Sequence, residues 1–117
     1  YQVDDVTSLR WQQPGGYDAI GLIYAHLPPV ARWAVHAAAA QSLASGGHLI
    51  LEAFSPRQLG LPSGGPQSAE LLYDPDTLAA DFAGLTVREN HELGVVLHEG
   101  SFHSGPANVV RLLATRS

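Results

Sequence analysis

Two apolar runs of strand length stand on either side of an alanine-rich stretch, and this arrangement limits the chain more than any other feature it has. The runs are Tyr17-Asp18-Ala19-Ile20-Gly21-Leu22-Ile23-Tyr24 and His48-Leu49-Ile50-Leu51-Glu52-Ala53-Phe54. Each is too continuously apolar to keep one face in water, so each reads as a strand covered on both sides. Pro28-Pro29 ends the first run. From Pro29 to Ser45, Val30, Trp33, Val35 and the run Ala37 to Ala40 specify a helix, with Gly46-Gly47 in the place of a C-cap. A strand, a helix and a second strand reached by so short a turn form a right-handed crossover with parallel strands. Trp33 is expected on the helix face that covers the sheet, and His36 and His48 at the surface or its boundary.

The flanking segments complete one α/β domain. Tyr1 to Arg10 reads as a strand end, followed by a loop at Pro14-Gly15-Gly16. Ser55 to Gln67 carries Pro56, Pro62 and Pro66 and is a loop long enough to act as a lid. Asp74 is placed to cap a short helix whose first position is Pro75 and which stops at Gly84. Two alternating segments, near 85–97 and 107–115, form an antiparallel closing hairpin. The expected architecture is a three-layer α/β sheet with parallel strands near 17–24 and 48–54, and no internal repeat interrupts it.

Composition removes several function classes. Six arginines, no lysine and eleven acidic residues leave a net charge of −5, which repels phosphate backbones, so nucleic acid is not an expected partner. No apolar run approaches the roughly 18 residues of a membrane span, and the first residues lack a signal-peptide pattern. A cytoplasmic, non-membrane protein is expected. Cysteine is absent, which excludes disulfides, thiolate metal sites and cysteine nucleophiles. Methionine is absent too, and the Tyr1 start suggests a trimmed piece of a longer chain.

Taken in order, Val3-Asp4-Asp5-Val6, Tyr17-Asp18-Ala19-Ile20, Tyr24-Ala25-His26-Leu27-Pro28-Pro29, Leu43 to Gly47 and Leu49-Ile50-Leu51-Glu52 resemble the C-terminal half of class I S-adenosylmethionine-dependent methyltransferases. The small tellurite-resistance-like group is the nearest in appearance. In that family an aspartate-leucine element touches the adenine, an aromatic-Asp pair opens the fourth strand, and a Leu-x-x-Gly-Gly turn precedes the fifth. Asp5-Val6, Tyr17-Asp18 and Leu43-Ala44-Ser45-Gly46-Gly47 occupy those places. The resemblance covers nearly the whole chain and implies a partial Rossmann-like sheet ordered first, second, last, third. The family's glycine-rich first loop has no counterpart, because neither Gly15-Gly16 nor Gly64-Gly65 follows a strand and opens a helix.

The resemblance implies methyl transfer from S-adenosylmethionine to a small acceptor. It assigns cofactor contacts to Asp5 and Val6; Tyr24, His26 and Leu27 join them because they follow the carboxyl end of a buried strand, and Glu52 and Phe54, which leave the second strand at the same edge, are candidate substrate contacts with Tyr73. His26, His98 and His103 are the candidate general bases. For His26 the bland alternative is a ring that fixes a turn, for Phe54 a core position, and for Asp5 an ordinary cap. His98 and His103 are five apart around a glycine, the wrong spacing for a helical zinc site, so no metal is expected; a loop site with His91 is the weaker alternative. The strand near 17–24 is left as a bare apolar edge, which implies a homodimer joined there. Two further readings stand beside the enzyme: a non-catalytic dimerising module that keeps the fold, and a histidine metal-binding domain.

Overall fold

The structure, a computed structural model, describes residues 3–100 and 104–117. Strand β1 (Tyr17–Ile23) leads into helix α1 (Pro29–Ser42), strand β2 (Leu43–Phe54), helix α2 (Pro75–Asp81), and strands β3 (Thr86–His98) and β4 (Ser104–Thr115). The sheet order is β1-β2-β4-β3, with β1 parallel to β2 and the other pairs antiparallel. The crossover, the closing hairpin and the order first, second, last, third all stand as expected.

The helices form where the sequence places them. Pro29 enters the first turn of α1, where its missing N–H costs nothing. Asp74 caps α2 by accepting from the Thr77 backbone N–H at 2.7 Å, with Pro75 at the first helical position. α1 ends sooner than the sequence suggests, at Ser42, and β2 begins directly at Leu43. Gly46-Gly47 is therefore not a helix cap. It forms an irregularity inside β2, where Gly46 adopts φ +79° and a Cβ on Gly47 would lie 2.8 Å from the Ala44 carbonyl. The expected strand end before residue 10 is instead a 3-10 turn, Val6–Ser8, with Asp5 as its N-cap.

One face of the sheet carries the core. Leu49, Leu51 and Ala53 of β2 and Val110, Leu112 and Ala114 of β4 point the same way and pack with Ala39 of α1 and Leu78 of α2. Both helices cover this one face, so the described residues make two layers rather than the expected three. On the other face Ile23 and Ile50 remain exposed, at 56% and 48%. The apolar runs of β1 and β2 are therefore covered on one side only.

The alanine helix corrects two further expectations. Its buried stripe is Arg32, Val35, His36, Ala39 and Ser42, the i, i+3, i+4, i+7 spacing of one helix face. His36 is only 1% exposed, whereas Trp33, on another face, is 59% exposed and anchors nothing in the core. Arg32 and His36 of the stripe share one partner from α2. The Asp81 carboxylate accepts from Arg32 Nε at 2.8 Å and from His36 Nδ1 at 2.8 Å, while the His36 ring stacks on Phe82.

Candidate functional site

Because β1 and β2 are parallel, their C-terminal ends meet at one edge of the sheet, where open α/β sheets bind ligands. A cleft of about 310 Å³ lies there, lined by Tyr24, His26, Phe54, Gly65, Pro66 and Glu99. A larger recess of about 420 Å³ lies on the open sheet face, but its walls are mainly aliphatic, and of its three charged residues Glu52 and Arg111 are bonded to each other, with Glu89 beside them.

Three side chains line the cleft on the side of the strand ends. Phe54 is the nearly buried floor, with the Tyr24 ring 4.9 Å away and the His26 ring stacked at 5.6 Å. Tyr24 holds φ +53°, a left-handed conformation uncommon for an aromatic residue and of the kind that clusters at ligand sites. Its hydroxyl donates to Glu52 Oε2 at 2.5 Å, and the other Glu52 oxygen accepts from Arg111 Nε. Burial, then the Glu52 carboxylate, pushes the Tyr24 hydroxyl far above its usual range, so it stays a proton donor. Burial alone would raise Glu52, but bonds from Tyr24 and Arg111 outweigh it and hold the carboxyl below its usual range.

His26 has both ring nitrogens engaged. Nε2 accepts from the Phe54 backbone N–H at 3.1 Å, and this fixes the other nitrogen as Nδ1–H, which donates to the Leu71 carbonyl at 2.5 Å. Burial lowers its pKa, against a smaller opposing effect of the Leu71 bond. In this arrangement the ring is neutral and has no lone pair to act as a base. It ties the end of β2 to the loop before Tyr73. Tyr73 is fully buried, and its hydroxyl accepts from the Leu27 N–H at 2.5 Å and donates toward the Ala25 carbonyl at 3.0 Å. It shapes the 24–28 turn, and neither it nor Leu27, which is bonded to it, is among the cleft's described lining residues.

The remaining candidates separate from this cluster. Glu52 braces Tyr24 and faces the open-sheet recess. Asp5 and Val6 are not among the cleft's lining residues. Asp5 caps its 3-10 turn, accepting at one carboxylate oxygen from the Thr7 N–H at 2.9 Å and the Thr7 hydroxyl at 2.7 Å, which lower its pKa. His98 is exposed at the end of β3 and does not line the cleft, and His103 lies outside the described residues. His91 and His98 are an odd number of residues apart on one strand and so face opposite ways. Sequence reasoning missed Gly65, Pro66 and Glu99 as cleft residues. The signal for the first two was present in the doubled glycine before a proline, since Gly65 has φ +88° and a Cβ there would sit 2.8 Å from the Phe54 ring. The loop they belong to is stitched down by Gln58, which donates to Ser63 and Gly64 and accepts from the Asn108 N–H.

The buried His36 and the half-buried His26 predict a pH dependence. Burial lowers both His26 and His36, and for His36 it outweighs the opposing pull of Asp81. The folded state then binds fewer protons than the unfolded chain, whose histidines titrate near 6.5. Stability is expected to be complete above about pH 6.5 and to fall as the pH drops below it toward the folded-state values. Urea midpoints measured from pH 8 to 5 test this, and a flat profile would contradict it.

No protein-family model matches the chain, and no curated protein does. Solved structures do. TehB from Haemophilus influenzae superposes with a TM-score of 0.74 at 15% identity, over 99% of this chain and 40% of its own. A SAM-dependent methyltransferase from Methanosarcina mazei gives 0.70 at 13% identity, over 98% and 66%. The magnesium protoporphyrin IX methyltransferase ChlM from Synechocystis, solved with bound SAH, gives 0.58 at 22% identity, over 97% and 49%. The chain has the fold of S-adenosylmethionine-dependent methyltransferases, and it spans less than two thirds of the length of these structures.

Proposed function

We propose that this chain is the acceptor-binding half of an S-adenosylmethionine-dependent methyltransferase acting on a small molecule. The observation that carries the reading is the cleft of Tyr24, His26, Phe54, Gly65, Pro66 and Glu99 at the C-terminal ends of two parallel strands, in a chain whose fold matches such enzymes from end to end.

The residues suit the cofactor in part. Asp5 is exposed and keeps one carboxylate oxygen without a partner among the described residues, so it can accept from an adenine amino group. No glycine-rich loop is present to take the methionine end. When bound, S-adenosylmethionine supplies an electrophilic methyl group to the acceptor's lone pair. The chain's own contribution is to position the acceptor between Tyr24 and the Gly65-Pro66 segment and to exclude water with the Phe54 floor. Tyr24 is braced by Glu52 and Arg111, and His26 fixes the floor, so these walls are set before anything binds.

Calorimetric titration of the chain with S-adenosylhomocysteine and S-adenosylmethionine tests the reading. Saturable binding is expected, weakened at least about ten-fold by Asp5→Ala through loss of a hydrogen bond to a charged group. A well-folded chain that binds neither compound would favour the second reading, a non-catalytic dimerising module. That reading draws on β1, which stands at the sheet edge with Ile23 exposed. The mass in solution, read in the same samples, would then be that of a dimer.

A further inference from the structure

We infer that the acceptor bound in the cleft carries, apart from the nucleophilic atom that takes the methyl group and gives its proton to solvent, a positively charged nitrogen, as a protonated amine or quaternary ammonium group, and that it is not a carboxylate or phosphate. The inference rests on the cleft being the acceptor site proposed above. Its walls are aromatic on the β1 and β2 side, with Tyr24 and Phe54 in ring contact and a neutral His26 beside them. Its charged wall residue is Glu99, and no Arg or Lys lines it among the described residues. Arg111 is bonded to Glu52 and lines the open-sheet recess, not the cleft.

Each feature favours a cation by a separate physical route. A cation over an aromatic face is attracted by the ring quadrupole, and Tyr24 strengthens this because its hydroxyl donates to a carboxylate and leaves the ring richer in electrons. Glu99 at the rim adds Coulomb attraction, and the field of its carboxylate reaches the Tyr24 hydroxyl. An anion would meet the same carboxylate as repulsion, with no cationic side chain among the described lining residues to compensate. A cleft of about 310 Å³ also suits a ligand of the size of one substituted ring.

The probe is phenyltrimethylammonium, with phenylacetate as its anionic counterpart, titrated into the full chain by proton NMR with and without S-adenosylhomocysteine. Phenyltrimethylammonium is expected to shift the Tyr24 ring signals saturably, and phenylacetate is not. Glu99→Gln, at an exposed position that leaves the core untouched, is expected to weaken the ammonium by about three- to five-fold. Gly65→Val, which drives a side chain into the Phe54 ring, is expected to abolish it. Equal binding of phenylacetate, no ammonium binding up to the solubility limit, or indifference to both variants would overturn the inference. The sulfonium of the cofactor is another source of positive charge. Displacement of the ammonium by S-adenosylmethionine but not by S-adenosylhomocysteine would assign the cleft to it and overturn the acceptor class. Ammonium binding in a chain that ignores S-adenosylhomocysteine would instead sink the methyl-transfer reading and leave a cation site standing.

Discussion

Replacing Asp81 by Ala is expected to destabilise the chain by about 3–5 kcal/mol, the largest effect of any single substitution considered for it. Asp81 accepts from both Arg32 and His36 in a pocket where the three side chains are 2–10% exposed. Without it the Arg32 guanidinium has lost its counter-charge and the His36 Nδ1–H its acceptor, and little water reaches either. The loss is a large share of the 5–15 kcal/mol that holds a typical domain together. Urea unfolding followed by far-UV circular dichroism measures it. Asp81→Asn keeps an acceptor for His36 but no charge for Arg32, and is expected to fall between the wild type and Ala. An Asp81→Ala variant within 1 kcal/mol of wild type would mean that Arg32 finds another partner.

His26→Ala is expected to cost about 2–4 kcal/mol, because it removes the acceptor of the Phe54 N–H bond and the donor to the Leu71 carbonyl at once. The figure lies below the sum of two fully buried groups because Leu71 is only half-buried and water can reach its carbonyl. The conservative variants separate the two bonds. His26→Asn places a donor near the Nδ1 position and His26→Gln an acceptor near Nε2, so each is expected to recover about 1 kcal/mol. A general base would behave otherwise, since its removal would change turnover while the urea midpoint stayed in place.

Much of this architecture was legible in the chain because local signals and long-range packing agree. The β1–α1–β2 crossover follows from two apolar runs around an alanine-rich helix, and the start of α2 from Asp74-Pro75, whose capping bond is local. What could not be read depends on residues far apart in sequence. An alanine helix has little contrast between faces, so Trp33 looks like its anchor. The buried face is set instead by Asp81, which lies 49 residues from Arg32 and 45 from His36. The site shows the same division. In the sequence His26 stands out for its place just after β1 and Tyr73 as a substrate contact, but their hydrogen-bond partners, Leu71 for one and Ala25 and Leu27 for the other, lie far off in sequence and make both braces of the fold. Glu99 reaches the cleft only because the β3–β4 pairing carries the end of β3 there.

The position of β4 between β2 and β3 has a consequence for the order in which the chain assembles. The segments 17–54 and 75–115 each contain local pairings, β1 with β2 across one helix and β3 with β4, its neighbour in sequence, and they join along the β2–β4 seam from His48–Thr115 to Phe54–Val109 and through the bridge from Asp81 to Arg32 and His36. The main core is divided between the two pieces, with Leu22, Leu49 and Leu51 on one side and Phe82, Val110 and Leu112 on the other. Neither piece can bury its share alone, so native packing arrives in one cooperative event when the seam zips, and the loop-closure entropy of the intervening residues sets its pace.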